Sequence, residues 1–593
     1  MTGAEYIAEF LAQRGVKNVY LLIGGATCFM VDAIHRHQRL NYICTQHEQA
    51  AAFATDAVWR VSGRIGVAMA TSGPGATNLI TGIACNWFDS IPAMYITGQV
   101  NMRDAAVFGG TKVRQIGFQE TDIVSLVKPI TKYAVQVRRV EDLKTVLTEA
   151  WNAAITGRMG PVLVDVPMDI QQAKIDDKVE YTPLAALPPA TEKCNQLKAD
   201  LESLFGGGSR PVVLFGGGVG LAGVQREICD WLKKTGIPCV ASWHGADYID
   251  HDISNYMGTI GVYGNRGANY VLQNCDTLLV LGSRLDTRQR PGDPKKFAPG
   301  ARVHVVDLDE EELKKYTPQG WGTTLLDMRQ AAEIVTGVSA PGMSRGWLDY
   351  VSEMKARWFH KDSSTCAVRL GSISPHAAIL RLNEIMDDDG IVAVDLGSVT
   401  CWFYQCFKRS NQIIFTNGGC APIAYALPAA IGAAVERPEK MVACIIGDGG
   451  FQTNIQELQT VKHYGLNIVF ILLNNRNYGI VKQFQDIYLE HRNSATVSAE
   501  GYSVPDFKKV VEAYGLRYFR IEDLRDLTRD KLEIKGGCVI EVVLHEDTII
   551  EPKLELGRPI NDQAPHVPDD EFNAANRFVK FDRPGGRRDN ISD

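Results

Sequence analysis

Short apolar runs recur along the chain, and each closes on Gly, Ser, Asn or Asp before a stretch of helical periodicity. In the first third they occupy 19–23, 66–70, 93–97 and 162–166. In the middle they occupy 212–215, 277–281 and 303–306, and in the last third 391–394, 441–446, 468–473 and 539–543. Runs of four to six apolar residues without alternation are buried on both faces. Separated by helices, they predict parallel sheets. The fold class is therefore α/β, with several domains of parallel sheet flanked by helices. The chain opens on an amphipathic helical pattern with Ile7, Phe10 and Leu11 on one face. Early acidic residues argue against a targeting signal. No apolar run approaches the ~18 residues of a membrane span, so the expectation is a soluble cytoplasmic protein.

Two shifts in composition suggest boundaries. Residues 175–210 contain TPLAALPPATE and GGGSRP, and residues 338–372 contain SAPGMSRG and KDSSTCAVRLGSISP. Both read as surface linkers. The expected domains are 1–180, 190–345 and 370–553, followed by a tail at 554–593. That tail is polar, charged and rich in Pro and Gly, so its last ~20 residues are expected to be mobile. The first and third domains share a plan of strands ending in Gly-rich turns, without an obvious sequence repeat.

Composition narrows the function. Of 593 residues 45% are hydrophobic and 22% charged, which fits globular protein and excludes disorder as the main state. The net charge of -7 offers no basic surplus for nucleic acid. The thirteen cysteines have no CxxC pairing and read as reduced, buried thiols.

The sharpest chemical signal is Gly447-Asp448-Gly449-Gly450, followed by Asn474-Asn475, in MVACIIGDGGFQTNIQELQTVKHYGLNIVFILLNN. A buried strand ends at Gly447, 451–464 reads as one amphipathic helix, and a second buried strand ends at Asn474. This β-α-β unit brings Asp448 and Asn475 to the C-terminal edge of neighbouring strands, where α/β ligands bind. A carboxylate and an amide oxygen there suit Mg²⁺, which takes oxygen ligands and keeps phosphate oxygens in its shell. The glycines let the backbone approach a diphosphate at the helix start. A second constellation is TQHEQAAAFATDAVWRVSGRIGVAMATSGPGATN. Glu48 opens an alanine-rich helix after a short strand, and the glycine loop at 72–78 follows the next strand. A carboxylate among close-packed groups must be paired or protonated. A third is FTNGGCAPIAYALPAAIGAA, small apolar residues leading into a helix.

These motifs together resemble the thiamine-diphosphate (ThDP) enzymes. The resemblance implies that Asp448 and Asn475 ligate Mg²⁺ through side chains, and Asn477 through its carbonyl. It implies that Glu48 hydrogen-bonds the aminopyrimidine N1′ and tunes a base belonging to the cofactor. Ala421 would accept from the 4′-amino group, and Ile423 would be the apolar wedge that folds the cofactor, unless it is plain core. Gly25, Pro74, Asn78, Gly447, Gly449, Gly450, Tyr478, Gly479 and Ile480 complete the expected cofactor contacts. The three domains become pyrimidine-binding, central and diphosphate-binding.

Within those enzymes the chain is similar to the acetohydroxyacid (acetolactate) synthase large subunits over most of residues 1–550. SGPGATNLITGIACNWFDSIPAMYITGQV, GFQETDIV, ITKYAV, GPVLVDVPMDIQQ and YGIVKQFQD carry the likeness. LGSRLDTR and HVVDLD resemble segments that bind FAD in the biosynthetic synthases. FAD in a structural role follows from that resemblance, although the turn at Phe215-Gly216-Gly217-Gly218 equally suits close packing. Arg284 would lie near the flavin and the acceptor's carboxylate, and Gln119 would line the active site. The resemblance also implies a homodimer, or a dimer of dimers, with Glu48 and Asp448 acting across the interface.

Departures fall on the acceptor side. The family's lysine in VDVPKD is Met168 here, its flavin-loop histidine is Tyr263, and its wedge methionine is Ile423. Its QHQ is Ser398-Val399-Thr400, its VKQWQD tryptophan is Phe484, and its GM is Gly479-Ile480. The tail EPKLELGRPINDQAPHVPDDEF differs from the ordinary synthase ending and resembles acetolactate-synthase-like proteins of surface-polysaccharide pathways. The expected function is decarboxylation of pyruvate, or a related 2-oxo acid, and carboligation to an acceptor carbonyl. The alternatives are a carboligase for an aldehyde, ketone or keto-sugar nucleotide, simple decarboxylation or acyl transfer to phosphate, and a non-catalytic ThDP-fold protein. The last should have lost Glu48 or the metal ligands.

Overall fold

The computed structural model describes residues 1–106, 113–176, 178–184, 190–361, 363 and 365–583. Three six-stranded sheets follow one another, and every pairing within them is parallel. The first contains β1 (Asn18–Leu22), β2 (Asn41–Cys44), β3 (Gly66–Ala70), β4 (Ala93–Gln99), β5 (Tyr133–Gln136) and β6 (Val162–Pro167). Its order is β2-β1-β3-β4-β6-β5. The second contains β7 (Pro211–Phe215), β8 (Cys239–Ala241), β9 (Tyr256–Thr259), β10 (Thr277–Leu281), β11 (Arg302–Asp307) and β12 (Gly322–Leu325), in the order β12-β11-β10-β7-β8-β9. The third contains β13 (Ile391–Val394), β14 (Ile413–Phe415), β15 (Val442–Gly447), β16 (Ile468–Asn474), β17 (Arg517–Ile521) and β18 (Cys538–Val543), in the order β14-β13-β15-β16-β18-β17.

The first and third sheets thus repeat one strand permutation. The middle sheet has the order of a dinucleotide-binding fold, in which the direction of winding reverses between β7 and β10. Ligands of open α/β sheets bind in the crevice at such a reversal. In the first sheet it falls between β1 and β3, and in the third between β13 and β15.

The first and third domains meet within one chain through two helices, Glu48–Ser62 and Ala426–Glu436. Both faces are built of small residues. Ala50, Ala51, Ala52, Ala54 and Ala57 are fully buried, and a Cβ on Gly432 would lie 2.4 Å from the Ala54 carbonyl oxygen. Backbones this close need alanine and glycine, which explains the run QAAAFATDA.

Three expectations are corrected. The helix expected over 451–464 is interrupted: Asp448–Thr453 and Leu458–Tyr464 flank a short 3₁₀ turn, Ile455–Glu457, with a break at Asn454. Each expected linker contains a packed helix, because Thr191–Gly206 buries Leu197, Leu201, Leu204 and Phe205, and Arg345–Trp358 buries Trp347, Tyr350, Val351 and Met354. The end of the chain is held in place as far as residue 583. Phe572 is buried, Tyr350 Oη donates to the Ala575 carbonyl at 2.7 Å, and Phe578 packs edge-on against Tyr350 and Trp347. Apolar residues spaced through a polar segment supply that anchorage. Residues 584–593 lie outside the described residues.

Candidate active site

The metal-type cluster stands where expected. β15 and β16 are neighbours, with Gly447 opposite Leu473, so Asp448 and Asn475 emerge side by side at their C-terminal ends. Asp448 is buried. Its Oδ1 accepts the Gly449 N–H at 2.8 Å, whereas Oδ2 is buried without a hydrogen-bond partner. Burial pushes this carboxyl up to about 7. An orphaned carboxylate oxygen in a dry site is costly unless a cation or proton occupies it. Asn475 Nδ2 donates to Asn477 Oδ1 at 3.0 Å, which leaves the Asn475 oxygen as the free end of the amide. Between these two asparagines Arg476 holds φ = 57°, and that kink turns the backbone around the site.

The glycines here are required by contact. A Cβ on Gly449 would lie 2.5 Å from the Tyr478 ring, and one on Gly479 would lie 2.8 Å from Asn475 Nδ2 and 2.9 Å from Ser398 Oγ. Gly447 ends β15, and Ile480 is half-buried at the start of the helix Gly479–Tyr488.

Ala421 and Ile423 lie on the loop before the helix Ala426–Glu436. Ala421 has φ = 58° and Ala424 φ = 70°. Asp395, at the end of β13, holds this loop: its two carboxylate oxygens accept the N–H groups of Ala424 and Ala426, each at 3.1 Å. Asn454 Nδ2 donates to the Ala424 carbonyl at 3.0 Å. Ile423 remains 40% exposed, so it is not plain core of this chain.

The second group gathers at the reversal point of the first sheet. Glu48 is buried at the first turn of its helix, where the N-terminal dipole favours a carboxylate. Asn78 Nδ2 donates to Glu48 Oε2 at 2.9 Å, and a Cβ on Gly75 would lie 3.2 Å from Glu48 Oε1. Pro74 begins the short helix that carries Asn78, and Gly73 is packed against the backbone of Gln119, itself at φ = 63°. Gly25 opens a 3₁₀ turn after β1. Gly25, Glu48, Pro74, Asn78 and Gln119 therefore share the first domain, while Ala421, Ile423, Asp448, Asn475, Asn477 and Tyr478 share the third.

Arg284 belongs to neither group. It lines a cleft at the reversal point of the middle sheet, with about 1390 Å³ of empty space, part of it open to solvent. Gly217, Gly218, Gly282, Asp307, Asp327 and Arg329 also line it.

Sequence reasoning missed the residues that join these parts. Arg60 is buried between two carboxylates: Nε donates to Asp56 Oδ1, and Nη2 to Asp89 Oδ2 at 2.8 Å. Tyr425 Oη donates to Asp56, and the Gly419 N–H donates to Asp89 Oδ1 at 2.8 Å. His244, from the middle domain, accepts the Gly418 N–H at 3.1 Å. The loop carrying Ala421 and Ile423 is thereby fixed by all three domains. An Asp and an Arg four residues apart inside an alanine-rich helix were the available signal.

Family models agree with this layout. The N-terminal thiamine pyrophosphate-binding domain model matches residues 1–126, the central-domain model 201–325 and the C-terminal thiamine pyrophosphate-binding domain model 395–542. The acetolactate synthase large subunit of Lactococcus lactis is 31% identical over 94% of this chain and 95% of its own length. The isozyme 2 large subunit of Escherichia coli is 33% identical, covering 87% and 90%, and a probable large subunit of Methanocaldococcus jannaschii is 32% identical, covering 92% of each chain. The chain belongs to the acetolactate synthase large-subunit family of thiamine pyrophosphate enzymes. The repeated permutation of the first and third sheets is the pair of cofactor-binding domains of these enzymes, and the middle sheet is their central domain. Among the described residues, no helix of this family member is long and apolar enough to cross a membrane.

Proposed function

We propose that this thiamine pyrophosphate enzyme decarboxylates pyruvate, or a close 2-oxo acid, and transfers the two-carbon unit to an acceptor carbonyl. The observation that carries the reading is the buried Asp448 carboxylate, whose second oxygen makes no hydrogen bond within normal distance and has the Tyr502 hydroxyl beside it. Mg²⁺ would be held by Asp448, by the free oxygen of Asn475 and by the Asn477 carbonyl, with diphosphate oxygens completing its shell. The cluster contains one carboxylate and two neutral oxygens, which suits a hard cation whose charge is balanced by phosphate.

Bound thiamine diphosphate supplies a carbon nucleophile and an electron sink for loss of carbon dioxide. The chain's residues arrange that chemistry. Glu48, buried and held by Asn78, would present a carboxylate to the aminopyrimidine ring and set its proton position. Ala421 would offer a carbonyl to the amino group, and Ile423 would press on the bound rings. Exposed Ile423, Val481 and Phe484 give the reacting centre an apolar wall that excludes water and favours carboligation over protonation.

The two cofactor-contacting groups lie in different domains, and each has exposed apolar residues near it in sequence, Ile23 and Phe29 in the first, Ile423, Val481 and Phe484 in the third. A second copy covering these residues would bring Glu48 of one subunit to Asp448 of the other, giving a dimer or dimer of dimers. The middle cleft is lined by glycines, arginines and carboxylates that suit FAD or another nucleotide, in a structural role.

A second reading changes the acceptor to an aldehyde, a ketone or a keto-sugar nucleotide. Tyr263 favours it: the ring is buried, with Oη accepting from Arg288 at 3.2 Å, where the synthases carry histidine. The test supplies ThDP, Mg²⁺ and pyruvate with a panel of acceptors and identifies products by mass. Acetolactate from pyruvate alone supports the first reading, and a product formed only with an added aldehyde or sugar supports the second. No ThDP-dependent product with any acceptor overturns both.

A further inference from the structure

The 3₁₀ turn Ile455–Glu457, which interrupts the helical path from Asp448, carries a fully buried carboxylate to the first domain. Both oxygens of Glu457 accept the Gln46 N–H, at 2.9 and 3.2 Å, and Thr460 Oγ1 donates to Oε2 at 2.7 Å. Its partners are neutral donors, and among the described residues it makes no ion pair.

Gln46 stands two residues before Glu48, in the turn between the strand Asn41–Cys44 and the helix Glu48–Ser62. Most of that turn is held from within the first domain. The Thr45 N–H donates to the Leu21 carbonyl at 3.0 Å, Thr45 Oγ1 donates to the His47 carbonyl at 2.9 Å, and His47 Nδ1 accepts the Gln49 N–H at 3.1 Å. The third domain reaches it at two points. Tyr464 Oη accepts the Cys44 N–H at 2.8 Å, at the end of the strand, and Glu457 accepts the Gln46 N–H in the turn itself.

A neutral amide would cost less to bury here than a carboxylate without a cation. The carboxylate has one advantage, that it is acceptor-only. Both oxygens face the Gln46 N–H, and Oε2 still takes the Thr460 hydroxyl. An amide would set its own NH₂ against one of these donors. Burial pushes the carboxyl up to about 7, while the hydrogen bonds from Thr460 and Gln46 hold it down. Asn78 grips the tip of the Glu48 side chain at 2.9 Å, and Glu457 holds the backbone from which that side chain departs.

We propose that Glu457 is a positioning residue for Glu48: by fixing the turn at Gln46 it sets where the Glu48 carboxylate meets the bound cofactor. The inference rests on the thiamine reading of Glu48 above and adds a group that acts through it. The same turn of chain also joins the Glu48 domain to the segment that begins at Asp448.

The test uses the holoenzyme at pH 8, above the pKa of about 7, so that the carboxylate is ionised. It measures exchange of the thiamine C2 proton for deuterium, read by NMR after an acid quench, which needs no acceptor. Misplacing reacting groups by about 1 Å can cost ~10²-fold, so E457Q should slow exchange roughly tenfold to a hundredfold, with ThDP and Mg²⁺ affinities within about twofold of wild type. Amide hydrogen exchange should show residues 41–47 opening faster in E457Q. In E48Q/E457Q, C2 exchange should be no slower than in E48Q, because one residue acts through the other. Y464F removes the neighbouring interdomain hydrogen bond but leaves Gln46 held, so it should match wild type. T460V takes one donor from the carboxylate. It should show a smaller loss in the same direction, and it replaces E457Q should that variant not fold.

A merely structural Glu457 would lower the melting temperature or the ThDP affinity of E457Q and leave C2 exchange in the loaded enzyme at the wild-type rate, which would overturn the proposal. So would equal slowing in Y464F, a further loss in the double variant or, where only T460V folds, an unchanged rate in T460V. Wild-type exchange in E48Q would instead remove the underlying reading of Glu48.

Discussion

The carboxylate of Asp395 accepts the Ala424 N–H at 3.1 Å, and a Cβ added to Gly450 would lie 1.9 Å from the same Asp395 oxygen. One side chain therefore joins the loop of Ile423 to the turn that carries Asp448. The wedge and the metal-type cluster are positioned by a single buried group, without direct contact between them.

Gly450→Ala should accordingly be far more damaging than an ordinary Gly→Ala change in a helix, which is usually stabilising. The added methyl must displace Asp395 and with it the Ala424 and Ala426 hydrogen bonds. Overpacking of this kind costs ~1–3 kcal/mol, and ThDP affinity should fall with it. Urea unfolding and ThDP titration of the purified variant check both effects.

Arg60 offers a separate test of how the domains are joined. Arg60→Met leaves Asp56 and Asp89 buried and facing each other without their cation. Breaking a buried pair by removing one partner costs ~3–5 kcal/mol. Chemical denaturation should show that loss, and the Ile423 loop, held through Gly419 and Tyr425, should become accessible to limited proteolysis.

Asp247 gives a pH dependence with a definite sign. Its carboxyl accepts the Tyr404 hydroxyl at 2.6 Å, and burial pushes it up to about 7, against ~3.9 in an unfolded chain. The folded protein keeps a proton that the unfolded chain releases. This contribution to stability is complete below about pH 4 and is lost as pH rises through about 7. Asp395 and Glu457, also raised to about 7 by burial, act in the same direction. His244, His251, His304 and His360, held neutral by burial, act in the opposite direction, so the carboxyl contribution is read from the difference between the wild type and Asp247→Asn between pH 5.5 and 8. The unfolding free energy of the wild type should fall relative to that of Asp247→Asn as pH rises through this range, by at most ~1.4 kcal/mol per pH unit.

Much of the fold was legible because parallel strands buried on both faces are written as unbroken apolar runs. All eleven such runs are strands. The strands without one are mainly those at the sheet edges. Arg517–Ile521, for example, is fully buried only at Ile521, and Asn41–Cys44 was anticipated only as the short strand before Glu48. The break at Asn454 was invisible because it is made by a side chain reaching the Ala424 carbonyl, far away in sequence. The same reason hid Asp395, Asp56 and Asp89. Their roles depend on long-range partners, whereas the GDG and NN turns announce themselves locally. The helices at 191–206 and 345–358 were masked by Pro- and Gly-rich neighbours that dominate the composition of those stretches.

Subunit complementation asks whether Glu48 and Asp448 serve one cofactor across an interface. Glu48→Gln and Asp448→Asn are prepared as separate inactive proteins, dissociated, mixed and reassembled with ThDP, Mg²⁺ and pyruvate. If Glu48 of one subunit works with Asp448 of the other, every mixed dimer contains one intact site and one doubly altered site. Pyruvate consumption should then recover to about a quarter of the wild-type rate, since half the dimers are mixed and each has one working site. Should the mixture stay as inactive as its components while mixed dimers demonstrably form, the two carboxylates do not share a cofactor across an interface, and the account is wrong.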